Sequence, residues 1–279
     1  MGLSAERKKY LEDLCHQSRR KLIEILYKIQ TGHPGGSLSS AEIIATLYFE
    51  KMNIDPANPK HESRDRFILG KGHAAPMLYI ILAERGFFPK EDLESLRQLG
   101  SHLQGHPSAD KTPGVELSTG PLGLGLSAGL GMALAAKLDK KDYYTYVLIG
   151  DGETQEGIIW ETAMSAAKFK ADNLIAILDK NGVQLDGTTE EIMPMGDIKG
   201  KWELFGWNVI TINGHDVEAI SDAVDMAKTV KGKPTLIIAD TIKGKGVSFM
   251  EGKNTWHGKP IGTEDYNQAL KELEGIING

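Results

Sequence analysis

Apolar residues recur near the start of the chain at Leu11, Leu14, Leu22, Ile25, Leu26 and Ile29, a helical period over residues 4–30 that stops at Gly32. A second helix is expected over Ser40–Met52. Five shorter runs read differently. Arg66–Leu69, Tyr146–Ile149, Leu174–Leu178, Asn208–Ile212 and Thr235–Ala239 are rich in Ile, Leu and Val and do not alternate with polar residues. A strand covered on both faces needs apolar side chains in both directions, so such runs are expected of buried strands in a parallel sheet. Helical patterns over Leu126–Leu138, Ile158–Phe169 and Val217–Val230 lie between them. This alternation predicts an α/β fold: a doubly wound, mostly parallel sheet with helices on both faces. Neither an internal repeat nor a low-complexity tract interrupts it, and no linker precedes about residue 258. Residues 1–258 are therefore expected to form one domain, and 259–279 a C-terminal helical tail with its helix over Glu264–Ile277.

Each apolar run ends in a polar turn containing glycine: Gly70–His73, Gly150–Gly152, Asp179–Gly182, Asn213–Asp216 and Lys243–Gly246. Ligands of open parallel sheets sit beyond the carboxyl ends of the strands. Any one such turn is explained by the backbone, because Gly, Asn and Asp tolerate the conformations that turns need. Five on one rim point to a site.

Bulk composition narrows the chemistry. The 279 residues carry 32 basic and 38 acidic side chains, a formal charge of −6. No long basic stripe is available to neutralise phosphates, which argues against nucleic acid as a partner. The longest apolar runs are strand-sized, too short to cross a bilayer, and the first residues lack the apolar core of a secretory signal. The single cysteine, Cys15, excludes an internal disulfide framework and fits a reducing compartment, so a cytoplasmic location is expected.

The most specific feature is Gly150-Asp151-Gly152 after one strand and Asn181 after the next, with residues 153–180 and one crossover helix between Gly152 and Asn181. Both side chains should leave neighbouring strand ends on the same rim. Asp151 offers a carboxylate oxygen and Asn181 an amide oxygen, hard donors suited to Mg²⁺ or Ca²⁺. Gly152 has no side chain, which lets the backbone approach a phosphate. Two protein oxygens leave an octahedral shell unfilled, and Mg²⁺ usually completes it with phosphate oxygens and water. The site thus expects a phosphorylated ligand. The stretch from Gly123 to Gly129 nearly matches a dinucleotide fingerprint, but no strand directly precedes it and its spacing is off by one, so NAD is not expected.

The Gly150-Asp151-Gly152 and Asn181 pattern resembles the motif of the thiamine diphosphate enzymes. Further blocks resemble the transketolase family in order: Gly32-His33-Pro34-Gly35-Gly36-Ser37, Lys71-Gly72-His73, Gly105-His106-Pro107, Ser118-Thr119-Gly120-Pro121-Leu122-Gly123, and His257-Gly258 with the following Lys-Pro-Ile-Gly262. Together they cover nearly the whole chain. The resemblance implies the thiamine diphosphate-binding fold. It also implies Mg²⁺, or Ca²⁺ in its stead, held by Asp151, Asn181 and the backbone carbonyl of Val183. Gly152 and His73 would contact the diphosphate. The loop Gly120, Pro121 and Leu122 opens a helix whose free N–H groups favour an anion.

Of the eight histidines, His16, His61 and His102 match no motif and are expected to be surface or structural. In Asn213-Gly214-His215-Asp216 the favoured reading is also structural, with Asp216 capping the next helix. By the resemblance His257 lies near both cofactor and substrate, while His33 and His106 bond sugar hydroxyls and shuttle protons, a task suited to imidazole. Glu156 matches an acidic family position near the cofactor and a subunit contact; a carboxylate complementing a helix start is the alternative. Two features depart from the family. Lys243 and Lys245 stand where transketolases often carry apolar residues, the turn resembling deoxyxylulose-phosphate synthases and pyruvate-dehydrogenase-type enzymes more closely; Lys243 reaches the diphosphate, or both lysines are solvated. A family-style phosphate-binding arginine is not matched.

In this family the cofactor carries the hard chemistry, and a glutamate on a second, pyrimidine-binding domain activates it. Residues 258–279 hold about one helix, so the expectation is one subunit of a two-chain transketolase. A C-terminal subunit would supply that domain, in a heterotetramer of two copies each, acting on sugar phosphates. A related split enzyme acting on a sulfo-sugar or branched sugar, or a deoxyxylulose-phosphate-type synthase, is the nearer alternative. A non-catalytic cofactor-binding regulator is the more distant one, and has no need of His33 and His106.

Overall fold

The computed structural model describes residues 2–277. Strands β1 (Arg66–Leu69), β2 (Thr145–Gly150), β3 (Leu174–Lys180), β4 (Asn208–Asn213) and β5 (Thr235–Asp240) form one sheet in the order β1-β2-β3-β5-β4, with every pairing among these strands parallel. Alternate residues of each inner strand enter opposite cores. Tyr146, Leu148, Ile175 and Ile177 face one layer, and Val147, Ile149, Leu174, Ala176 and Leu178 the other. That two-sided burial is why the runs do not alternate with polar residues. β4 is the exception. It is one of the two edge strands and, unlike β1 at the opposite edge, is only partly buried.

The larger layer holds α1 (Ala5–Ile29), α2 (Pro34–Ser39), α3 (Ala41–Thr46), α4 (Ala75–Arg85) and, further along, α9 (Val217–Thr229) and α10 (Thr263–Ile277). The smaller layer holds α5 (Leu124–Leu138), α6 (Gly157–Lys168) and α8 (Ile198–Leu204), with the single turn α7 (Thr189–Ile192) between β3 and α8. The chain leaves β3, passes over β5 to build β4, and returns. The strand order therefore reverses beside the β3–β5 boundary, where doubly wound sheets open a crevice at the carboxyl rim.

Helix starts follow local chemistry where it is strong. Ser4 accepts a hydrogen bond from the Arg7 N–H, and Asp216 from those of Glu218 and Ala219. The helix expected over Ser40–Met52 is α3, which runs on into a π-helical turn, Leu47–Lys51; the short α2 from Pro34 precedes it and was not expected. Gly35 and Gly36 are poor helix formers, yet tertiary packing demands them. A Cβ on Gly35 would lie 2.9 Å from the Trp256 carbonyl oxygen, and one on Gly36 3.0 Å from His73 Nε2. In α5 the near-fingerprint glycines also serve packing: a Cβ on Gly125 would lie 2.9 Å from Gly70 Cα, and on Gly129 2.5 Å from Val147.

α10 packs along α1. Tyr27 and Tyr266 stack at 4.1 Å, Ala269 and Leu273 are buried, and Gln30 donates to the Ile261 carbonyl at 2.9 Å. Of the expected tail, residues 278 and 279 lie outside the described residues. Among the described residues no helix is long and apolar enough to cross a membrane.

Candidate active site

A cavity of about 240 Å³ opens on the carboxyl rim, walled by the turns after β1, β2, β3 and β5 and by the His257 segment. Asp151 follows β2 at one wall, with only 6% of its surface exposed. Its Oδ1 accepts from the Gly152 N–H at 2.8 Å and its Oδ2 from the Gly182 N–H at 2.5 Å, so it ties its own turn to the one after β3. Burial raises its carboxyl to about 6, with the Asp179 charge pushing the same way against those two N–H bonds. From the β3 turn, Asn181 Oδ1 accepts from the Val183 N–H at 3.1 Å, and the Val183 carbonyl accepts from Lys243 Nζ at 3.2 Å. Asp151, Asn181 and Val183 thus stand round one space.

Beneath them lies a buried ion pair, Lys71 with Asp179, both almost wholly enclosed. Lys71 Nζ also donates to the Gly36 carbonyl at 2.9 Å and to Ser40 Oγ at 3.0 Å. Asp179 accepts from Ser39 Oγ at 2.7 Å, from Asn181 Nδ2 at 3.2 Å and from the Thr241 hydroxyl. Burial opposes the Asp179 charge, but the Lys71 ammonium outweighs it and holds the carboxyl below its usual range. The bond from Asn181 Nδ2 to Asp179 fixes the amide flip, so its oxygen is the atom left on the Val183 side. Glu153 lies deeper, accepting from the N–H groups of Gly123 at 2.9 Å and Gly150 at 3.1 Å; burial pushes it up to about 7.

Lys243 enters from the β5 turn. It is 2% exposed, donates to His257 Nδ1 at 2.9 Å, and is lowered to about 8, first by burial and then by Lys71. Three further imidazoles extend from His257 across the rim. Ring centroids are 4.8 Å apart for His73 and His257, 5.4 Å for His33 and His73, 5.5 Å for His33 and His257, and 6.2 Å for His33 and His106. All four titrate below the ordinary imidazole value. Burial is the first cause throughout, followed by Lys71 at His73, Arg97 at His33 and His106, and Lys243 at His257. His33 falls to about 4 and His257 to about 3. All four are neutral at neutral pH.

The fold brings Asp151, Gly152, Asn181, Val183, His73, His257 and Leu122 onto one cavity wall, while His33 and His106 continue the histidine row outward. Gly120 lies against His106, where a Cβ would come 3.6 Å from the ring, and Pro121 is exposed beside it. Glu156 stands exposed at the start of α6, outside the cavity lining and with no side-chain capping bond. Lys245 is 36% exposed in its side chain and faces Glu251 at 3.7 Å; of the two turn lysines only Lys243 enters the site. Sequence reasoning missed Glu153, the Lys71–Asp179 pair, Gln184 and Arg97. The available signal was a charged residue closing an otherwise apolar run, which Asp179 is and which Lys71 nearly is. His215 caps nothing itself. Its Nδ1 bonds Glu42 at 3.0 Å and its Nε2 accepts from the Ile242 N–H at 2.9 Å, at the root of the Lys243 turn.

Residues 12–276 match the family model described as transketolase, thiamine diphosphate binding domain. The chain belongs to the transketolase family. It is 46% identical over 267 residues to an apulose-4-phosphate transketolase subunit of Phocaeicola vulgatus, covering 96% of this chain and 95% of that one. The 6-deoxy-6-sulfo-D-fructose transketolase subunit SqwG of Clostridium sp. is also 46% identical, over 94% of this chain and 96% of its own. Human transketolase is 40% identical over 96% of this chain but only 42% of its own length. The solved Campylobacter jejuni transketolase superposes with a TM-score of 0.89 at 36% identity, over 95% of this chain and 43% of that one. The chain thus has the thiamine diphosphate-binding fold of transketolases and spans less than half of the single-chain members.

The cavity suits the family's cofactor. A carboxylate, an amide oxygen and a carbonyl converge beside a lysine ammonium, and Asp151, whose charge burial disfavours, is the group a cation would stabilise in its charged form. Among the described residues no three His, Cys, Asp or Glu side chains are arranged to hold a metal, so a cation here relies on amide, backbone and ligand oxygens. A Cβ on Gly152 would lie 2.9 Å from Gln184 Cβ, leaving bare backbone at the wall.

Proposed function

We propose that this chain is the diphosphate-binding subunit of a two-chain transketolase. It moves a two-carbon ketol unit from a ketose phosphate to an aldose phosphate with thiamine diphosphate and Mg²⁺. The observation that carries this reading is the meeting of Asp151, Asn181 and the Val183 carbonyl beside Lys243, His73 and His257 in one cavity. Support for a two-chain enzyme is that relatives named as transketolase subunits match it along nearly their whole length.

Asp151, Asn181 and Val183 hold the metal. The N–H groups of the Gly120–Leu122 loop, backbone at Gly152, His73 and Lys243 bind the diphosphate. When bound, the cofactor supplies a thiazolium carbon that attacks the ketose carbonyl. His257 lies between cofactor and sugar; His33 and His106 meet the sugar hydroxyls. Because the four imidazoles are neutral, they serve the resting site as uncharged donors and acceptors. An arriving diphosphate favours the protonated form of these imidazoles and of Lys243. Residues 1–258 form the cofactor domain. Glu156, exposed beside the loop, contacts a neighbouring subunit in a heterotetramer whose C-terminal subunit brings the pyrimidine pocket and its glutamate. The whole works in the cytoplasm.

A second reading keeps this chemistry and changes the sugar. The chain is more similar to the apulose-phosphate and sulfofructose transketolase subunits than to human transketolase, which favours a branched or sulfonated ketose as donor. Calorimetry with Mg²⁺ and thiamine diphosphate on the complex with the C-terminal subunit tests the main reading. We expect uptake that Asp151→Ala abolishes, and ketol transfer only when both chains are present. Uptake unchanged by that substitution removes the metal assignment; robust transfer by this chain alone removes the split. A panel of ketose phosphates and sulfo-sugars separates the two readings.

A further inference from the structure

Arg97 lies outside every motif block yet touches two of them. It sits after a short 3-10 segment with φ of 60°, a left-handed backbone that non-glycine residues rarely adopt, held by its N–H donating to the Leu103 carbonyl at 2.9 Å. From there its guanidinium bridges the two segments that carry His33 and His106. Nη1 donates to Thr31 Oγ1 at 3.0 Å, and Nη2 to the Gly105 carbonyl at 3.2 Å. A Cβ on Gly105 would lie 3.3 Å from the guanidinium carbon, so a glycine lets the planar head lie along that backbone. The third contact is the informative one: Nη2 stands 3.3 Å from His33 Nδ1.

Arginine has five N–H donors, no acceptor, and does not lose its proton in proteins. The only hydrogen bond this contact allows is from Arg97 to His33 Nδ1, which requires that nitrogen to be bare. A neutral imidazole with a bare Nδ1 carries its hydrogen on Nε2, on the edge turned toward Gly258, where an added Cβ would lie 3.8 Å from Nε2. The charged and titratable groups facing His33 are Arg97, His106, His73, His257 and Lys243. None is an acid, so nothing nearby stabilises a protonated ring.

We propose that Arg97 is a positioning residue that locks His33 as its Nε2–H tautomer, so that His33 meets an oxygen of the substrate as a hydrogen-bond donor and does not act as the base. The proposal rests on the reading of His33 as a sugar-contacting residue. It adds which atom carries the hydrogen, which way the ring faces, and which residue enforces both.

Long-range proton–nitrogen correlation on the full chain reads the tautomer directly, without partner or cofactor. At neutral pH His33 is expected as pure Nε2–H. In Arg97→Met a minority Nδ1–H form appears and His33 protonates at higher pH, because a neighbouring cation is gone. Arg97→Lys keeps a charge but cannot span Thr31 and Gly105 together, and gives intermediate behaviour. In the reconstituted enzyme, His33→Gln retains a donor but no base, whereas His33→Ala has neither. We expect about a tenfold loss of kcat/KM for the first and a hundredfold or more for the second, with cofactor affinity unchanged in both. An Nδ1–H tautomer in the wild type overturns the proposal, as does a glutamine variant no better than alanine. Ketol transfer absent from the wild-type complex would fault the proposed function instead, while the nitrogen spectra still decide the tautomer.

Discussion

Two buried ion pairs clamp the root of the turn that carries Lys243. Thr241 donates to Asp179, the partner of Lys71, and the next residue, Ile242, donates its N–H to His215, which is bonded to Glu42, the partner of Arg19. Both pairs are shielded from water: Arg19 is 3% and Glu42 7% exposed, Lys71 1% and Asp179 0%. Their spare hydrogen bonds go to different places. Arg19 and Glu42 meet as a two-pronged fork at 2.6 and 2.7 Å, with further bonds from Arg19 to the Leu38 carbonyl and from His215 to Glu42. Lys71 offers a point charge, and Asp179 passes its remaining capacity to Ser39, Thr241 and Asn181. One pair closes on the framework, while the other sets the orientation of a candidate metal ligand. Burial of charge alone therefore does not mark the site; the destination of the remaining bonds does.

The largest effect is expected at the cavity pair. Asp179→Asn leaves a buried ammonium without its counter-charge, which should cost about 3–5 kcal/mol in urea unfolding. It also frees the Asn181 amide, so Mg²⁺-dependent cofactor uptake should disappear from calorimetry. Combining Lys71→Met with Asp179→Leu should restore most of the stability and none of the uptake. The framework pair should divide differently. Glu42→Gln alone costs about 3 kcal/mol by the same reasoning, but joining Arg19→Met to Glu42→Leu recovers stability and keeps cofactor affinity within several-fold. If both double variants lose uptake equally, the distinction between the pairs is gone.

A smaller effect is expected at the link. His215→Phe leaves the Ile242 N–H without its acceptor, a loss of about 1–2 kcal/mol, and loosens the Lys243 turn. Cofactor affinity should weaken a few-fold in the wild-type background and hardly at all in a Lys243→Met background, both read by calorimetry. The smallest effect concerns protons on the cavity side. The folded value of His33, about 4, lies below its ordinary 6.5, so the unfolded chain binds the extra proton between them. Its contribution to stability is present above pH 6.5 and is lost as pH falls towards 4. Asp151 and Glu153, raised by burial, act with the opposite sign, so the isolated quantity is the stability difference between wild type and His33→Asn. That difference should shrink on acidification through this window; a flat difference would show that the folded ring titrates normally.

The strands were legible because two-sided burial leaves a direct trace, an unbroken apolar run, and Asp151 and Asn181 were legible because they stand at the ends of two such runs. The histidine row was legible through its glycine neighbours, although nothing local says that His33, His73, His106 and His257 approach one another. The start of α2 at Pro34 was not, since Gly35 and Gly36 argue against a helix until Trp256 and His73 press on them. Arg97 and Lys71 were not either. Their partners, His33 and Asp179, lie 64 and 108 residues away along the chain, and a lysine or arginine in sequence gives no sign of whether its charge will be solvated or enclosed.

Sequence by itself determined the parallel sheet, the rim that bears the polar turns, and the oxygen donors at the ends of β2 and β3, because periodicity and strand-end position are local properties of the chain. Tertiary structure alone decided which charges became buried pairs, which lysine of the turn entered the cavity, and which nitrogen of His33 is left to hold a hydrogen. Those outcomes depend on desolvation and on donors brought from distant segments, and neither exists until the two layers have closed on the sheet.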